Sequence, residues 1–271
     1  MNPIVLELGP LTLRAYTGWL LGGVVLALGI MAWRAHVEAP DRLTAWLDVA
    51  LVGIVAGVVG ARALYVAQEW RYFGDHTEEI TRLAAGGMAW HGALVLGAPA
   101  VWAAARLRGV SLRRWTDALA LVWPLGMAAA WWGCRGAGCG YGYEVATLAD
   151  WPRWLVAELP DVYGQYAPRL DVQAIGAAWA LTLGALALLL TWRGWLRGVR
   201  LWVVLALAGL GDLLLAYLRA DPAPTLWGHR ADQVYDAGLF LLAGAWGGIL
   251  WLRARRDRAA EMADNAEANP R

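Results

Sequence analysis

The chain has 271 residues, 59% of them hydrophobic and 17% charged, with a formal net charge of +1. One soluble core of this length cannot bury so much apolar surface, so the composition places the chain among multi-span membrane proteins. Every basic residue is arginine and no basic stripe lies away from the apolar stretches, which argues against nucleic acid as a partner.

Residues 1–16 are too polar and too proline-marked for a cleavable signal peptide, so the first span is expected to stay in the protein. Apolar stretches follow at residues 16–33, 47–67, 88–105, 118–133, 172–192, 201–218 and 234–252. Each approaches the ~20 residues that cross ~30 Å of hydrocarbon, and seven transmembrane helices are predicted. Arg34 and Arg42 follow the first stretch, Arg106, Arg108, Arg113 and Arg114 the third, Arg193, Arg197 and Arg200 the fifth, and Arg253, Arg255, Arg256 and Arg258 the seventh. These fall on one side, whereas the opposite loops carry Glu78, Glu79, Asp150, Glu158 and Asp161. The positive-inside rule therefore predicts an outer N-terminus and a cytoplasmic C-terminus. Residues 1–258 read as a single membrane domain, and the polar tail 259–271 as disordered.

Two outer segments exceed simple connectors. Residues 68–85 suggest a short interfacial helix through Thr77, Glu78, Glu79, Ile80 and Leu83. Residues 135–171, rich in Gly, Tyr, Trp and Pro, suggest a small external head.

Four chemical groups stand out within this frame. His91 sits in the third stretch, where an ionisable ring is costly unless it meets a cavity or a partner; a core histidine bonded to a helix carbonyl is the alternative. Asp212 raises the same question in the sixth stretch, with Arg219, Arg62 and Arg135 as candidate partners. Cys134 and Cys139, five apart around a glycine-rich loop, match no CxxC or zinc spacing; a disulfide, inert thiols and a thiol-based activity all remain open. No metal site is expected.

The ordered landmarks GPLTLRAY (9–16), GARALY (60–65), GGMAWHG (86–92), GCRGAGCGYG (133–142) and YLRADP followed by Gln233 resemble those of the prolipoprotein diacylglyceryl transferase family. The resemblance covers most of the chain, and the GGMxxHG segment is its most specific part. It implies a monomeric bacterial plasma-membrane enzyme without a cofactor. Such an enzyme moves diacylglyceryl from phosphatidylglycerol to the lipobox cysteine thiol of a prolipoprotein, recognised through its signal peptide.

The same resemblance nominates His91 and Tyr16 as catalytic and Arg62, Arg135 and Arg219 as head-group ligands. Gly86, Gly87, Gly92, Gly133, Gly142 and Gln233 would shape the loops. Two family arginines fall on Trp131 and Asp212, and the family's Gln-x-Tyr-Glu reads Gln173, Ala174, Ile175, Gly176. Arg135 lies one turn beyond Trp131 if the helix continues that far, which Gly136, Gly138 and Gly140 oppose. The rival expectations are a phospholipid-binding protein that kept the fold without transfer, or a membrane thiol protein using Cys134 and Cys139.

Overall fold

The computed structural model describes residues 4–8, 11–83 and 86–268. A helix forms on each apolar stretch: α1 (Ala15–Glu38), α2 (Leu43–Gln68), α4 (Trp90–Leu107), α5 (Leu112–Ala137), α6 (Val172–Trp192), α7 (Arg200–Ala216) and α8 (Ala231–Ala268), with the single turn α3 (Trp70–Phe73) after α2. Among the described residues, four segments are long and apolar enough to cross a membrane, namely α1, residues 40–68, α6 and the first 29 residues of α8. Val25, Val95, Leu188 and Leu242 point outward and exposed, a surface suited to hydrocarbon.

The bundle is built from helix pairs, α2 against α4, α7 against α8, and α5 against both α1 and α6. Glycine allows the closest of these approaches. A Cβ on Gly92 would lie 2.2 Å from the Gly60 carbonyl oxygen, and one on Gly60 would lie 2.3 Å from that of Gly92, so α2 and α4 touch backbone to backbone. Gly209 of α7 plays the same part against α8, where a Cβ would come 2.8 Å from the Asp236 carbonyl oxygen. Away from these crossings, Met31, Trp46, Val49, Trp115, Ala118 and Val122 pack one end of the bundle, and the Trp115 indole donates to the Trp46 carbonyl at 3.2 Å. Ala120, Ala187, Val204, Leu205 and Ala243 knit α5, α6, α7 and α8.

Several expectations need correction. The chain is not wholly helical: β1 (Ile4–Leu8) pairs with β2 (Leu11–Arg14), β3 (Val156–Pro160) with β4 (Tyr166–Leu170), and β5 (Thr225–Leu226) with β6 (His229–Arg230). The head at 135–171 is thus organised by the β3/β4 hairpin, whose turn Asp161 secures by accepting from the Tyr163 and Gln165 amides at 2.8 and 3.0 Å. Helix α5 runs through Gly136 to Ala137 and stops at Gly138, which has φ 72° and leaves no room for a Cβ against the Asp161 carbonyl.

The expected interfacial helix reduces to a 3₁₀ turn at Thr77–Glu79, and the carbonyls of Glu79 and Ile80 accept from a side chain described below. The tail expected to lack structure continues α8 to Ala268, in keeping with its run of Ala, Glu and Met. Gly9, Pro10, Ala84, Ala85 and residues 269–271, which belong to segments named above, lie outside the described residues.

Candidate functional site

The residues singled out in the sequence gather at one end of the bundle. His91, in the first turn of α4, places Nε2 2.7 Å from Oδ1 of Asp236 in the second turn of α8. A carboxylate only accepts, so Nε2 carries the donated hydrogen and Nδ1 of the neutral ring is left as the basic nitrogen. Both partners are buried. Trp90 and Tyr235 flank the imidazole at ring-centre distances of 3.9 and 5.1 Å, and Gln68 of α2 donates to the Tyr235 hydroxyl at 3.2 Å. The alternative of a histidine bonded to its own helix gives way to a contact between two helices that barely pack elsewhere along their length.

Beside this pair stands a square of alternating charges. Arg219 forks onto Asp221 through Nε at 2.8 Å and Nη2 at 2.7 Å, and its Nη1 reaches Asp232 at 3.1 Å. Arg230 closes the square, donating to Asp232 at 3.0 Å and to Asp221 at 3.3 Å. Burial alone would weaken the Arg219 charge, but the Asp221 hydrogen bond with the nearby Asp221 and Asp232 carboxylates more than offsets it, lifting its pKa above the ordinary arginine value.

Trp131 and Asp212, the two departures from the resembled family, prove to be neighbours. The Trp131 indole N–H bears on the Asp212 carboxylate, while Arg219 lies 5.9 Å over the same ring. Gly176 and Gly140 make the slot for that ring, since a Cβ on Gly176 would meet it at 2.5 Å. The other carboxylate oxygen of Asp212, Oδ1, is buried without a hydrogen-bond partner. Of the expected ion partners, none forms a salt bridge to Asp212 among the described residues. Arg219 turns to Asp221 and Asp232, Arg135 to Asp171, and Arg62 to backbone. The Arg219 and Asp236 charges still act on Asp212 through space.

Arg62 is buried, and its guanidinium donates to four carbonyls, those of Glu79, Ile80, Gly86 and Gly87, at 2.7 to 3.0 Å. It thereby ties down the loop leading into α4. Gly86 and Gly87 hold φ values of 85° and 77°, and a Cβ on Gly87 would strike Tyr65 and Arg62. Arg135 donates from Nε to Asp171 at 2.9 Å and stacks over Trp132, while its terminal nitrogens make no hydrogen bond among the described residues.

Tyr16 packs against Gly133, where a Cβ would come 2.8 Å from its ring. Gly92 serves the α2/α4 crossing, and Gly142 pairs with Arg219 as an isolated β-bridge that seats the arginine's backbone. Gln233 adjoins Asp232 in the first turn of α8. Cys134 and Cys139 are joined by a disulfide with Cα atoms 4.8 Å apart, across the turn that ends α5. Gln173 donates to the Cys139 carbonyl at 3.0 Å.

Sequence reasoning passed over Asp236, Asp232 and Arg230. The first was detectable: it is an acid inside the stretch 234–252, subject to the same cost that drew attention to Asp212.

A family model described as prolipoprotein diacylglyceryl transferase matches residues 3–251. Phosphatidylglycerol–prolipoprotein diacylglyceryl transferases with similar sequences include that of Geobacillus kaustophilus, 31% identical over 88% of this chain and 84% of its own. That of Symbiobacterium thermophilum is 28% identical over 98% and 97%, and that of Streptococcus pyogenes 29% identical over 94% and 96%.

Proposed function

The chain belongs to the prolipoprotein diacylglyceryl transferase family, and from that premise we propose that it transfers diacylglyceryl from phosphatidylglycerol to the cysteine thiol of a prolipoprotein, with His91 as the base. The observation that carries the assignment of the base is the His91–Asp236 pair. With Nε2–H committed to Asp236, Nδ1 takes the thiol proton, and the carboxylate stabilises the imidazolium that results. The thiolate sulfur then forms a bond to the terminal glycerol carbon of the diacylglyceryl group. The carbon–oxygen bond to phosphate breaks, and glycerol phosphate leaves with the electron pair.

Stabilising that leaving group falls to cations at the same end of the bundle. Arg135 has terminal nitrogens to spare, and Arg219 is held charged by its acids. Arg62, with its donors spent on carbonyls, is assigned to shaping the loop that presents His91. Tyr16, against Gly133, closes the α1 side of the site.

In this reading the protein is a multi-pass, monomeric protein of the bacterial inner membrane with seven spans, its N-terminus and His91 end outside, where signal peptides of exported prolipoproteins emerge. Arginine placement supports the orientation, and a helix on each of the seven apolar stretches supports the count. Reporter fusions after Arg108 and Arg258 should report cytoplasm and one near Asp150 the exterior; a cytoplasmic signal at Asp150 would refute the topology.

The enzymatic test is a transfer assay with phosphatidylglycerol and a lipobox peptide. His91→Asn should lower the rate ~10²- to 10⁴-fold while phospholipid binding persists. An unchanged rate per folded molecule, with only stability lowered, would make His91 a packing residue.

A further inference from the structure

At the end of the bundle opposite His91, helices α1, α5, α6 and α7 border a polar cavity of about 550 Å³. Arg34, Arg113, Arg114, Arg197 and Arg200 line it, against only two acids, Glu38 and Asp117. The acids are already engaged: Glu38 is paired with Arg34, and Asp117 Oδ2 accepts from the Gly198 amide at 2.6 Å and lies 3.9 Å from Arg200. The lining keeps an excess of three positive charges.

The donors around this cavity outnumber their acceptors. Arg34 Nε and Thr191 Oγ1 are buried without hydrogen-bond partners, on side chains that face the same space. Arg200, 3% exposed, spends Nε on the Trp195 carbonyl, and Arg113 spends one nitrogen on that of Arg197. Arg114 and Arg197 make no hydrogen bond from their guanidiniums among the described residues. Helices α5 and α7 both begin here, with no side-chain cap and no acid in the first turn, so their amide ends add positive potential of the same sign.

Buried donors without acceptors are costly, and a lining with excess positive charge is best completed by a group of the opposite sign. We propose that this cavity binds a phosphate group, either the head of an anionic phospholipid in the adjacent leaflet or a free phosphate. Arginines suit phosphate because their planar forks supply paired donors, and basic pockets between membrane helices fit lipid head groups. The unpartnered Asp117 Oδ1 at the edge of the cavity would take a hydroxyl or a protonated phosphate oxygen rather than a bare one. This site lies a bundle length from the His91 cluster and uses none of its residues, so it is independent of the transfer reaction.

The test uses the full chain, delipidated in neutral detergent. Inorganic phosphate should raise the thermal midpoint where sodium chloride of equal ionic strength does not. In parallel, phosphatidylcholine nanodiscs with and without phosphatidic acid are compared. Stabilisation by free phosphate identifies a soluble anion, stabilisation by phosphatidic acid alone identifies a lipid head group, and the absence of both effects overturns the proposal. The double variant Arg114→Gln/Arg197→Gln, in which both exposed arginines are neutralised, should weaken the effect at least about tenfold with helical content unchanged. An equal response from the parent and the variant would overturn it too. Should the double variant fail to fold, Arg114→Gln alone must still reduce the response.

Discussion

His91 and Asp236, 145 residues apart, meet at 2.7 Å and form the contact through which α4 reaches α8. Each is delivered by a helix crossing that only glycine permits, Gly60 on Gly92 for the histidine and Gly209 on the Asp236 backbone for the acid. The dyad is therefore set by packing on both sides, and a single added Cβ at Gly92 or Gly209 would displace it. Asp236→Asn should leave the protein folded but offer the ring an amide that can turn either group toward it, loosening the tautomer. The transfer rate should fall ~10²-fold or more, and the His91→Asn/Asp236→Asn double variant should fall little further than the worse single one. Fully additive losses would mean the two residues act separately.

The Trp131–Asp212 contact predicts a stability effect that does not depend on catalysis. Trp131→Phe preserves most of the ring in its glycine slot but removes the N–H that bears on the Asp212 carboxylate, whose Oδ1 already lacks a hydrogen-bond partner. Unfolding measured in detergent should be easier by about 1–3 kcal/mol, and Asp212→Asn in the same background should recover part of the loss. No change with Trp131→Phe would show that the indole only fills space. Restoring two cations, as Trp131→Arg with Asp212→Arg, should raise the transfer rate if charge on the leaving phosphate limits the reaction.

The head hairpin should respond to acid. The Asp161 carboxyl is held below the usual aspartate range, first by the Gln165 amide and further by the Tyr163 amide and Arg169, against an opposing effect of burial. A folded pKa below the unfolded one means the stabilisation is complete above the unfolded value, ~3.9, and is lost as pH falls through the folded value. Amide exchange at residues 161–165 should therefore speed up below about pH 4 beyond its intrinsic trend. Asp161→Asn should exchange faster at neutral pH and lose that transition; a variant that keeps it would place the responsible carboxyl elsewhere.

Cys134 and Cys139 should resist alkylation of the folded protein until a reductant is added, since both sulfurs are in the bridge. A loop this short constrains the unfolded chain only modestly, so Cys134→Ser/Cys139→Ser should cost about 2 kcal/mol and leave transfer measurable. Immediate labelling of both residues without reductant would remove the bridge from the native state.

Sequence alone determined the helical membrane character, because long apolar runs punctuated by arginine clusters admit few other solutions. It also singled out His91 and Asp212, since a titratable residue in an apolar run is visible without coordinates, whereas Arg219 and Trp131 stood out through the resemblance to the transferase family. Partnership was not visible. His91 could not be joined to Asp236 until the α2/α4 and α7/α8 crossings fixed which helix faces meet, and those depend on glycine contacts between segments distant in the chain. Arg62 and Arg219 read alike in one dimension, as head-group ligands and as candidate partners of Asp212. Only the fold turned the first onto the carbonyls of a loop and the second onto Asp221 and Asp232. The basic cavity at the far end arose in the same way: its arginines come from three separate arginine groups of the sequence, which merely set orientation until α1, α5, α6 and α7 close around a common space.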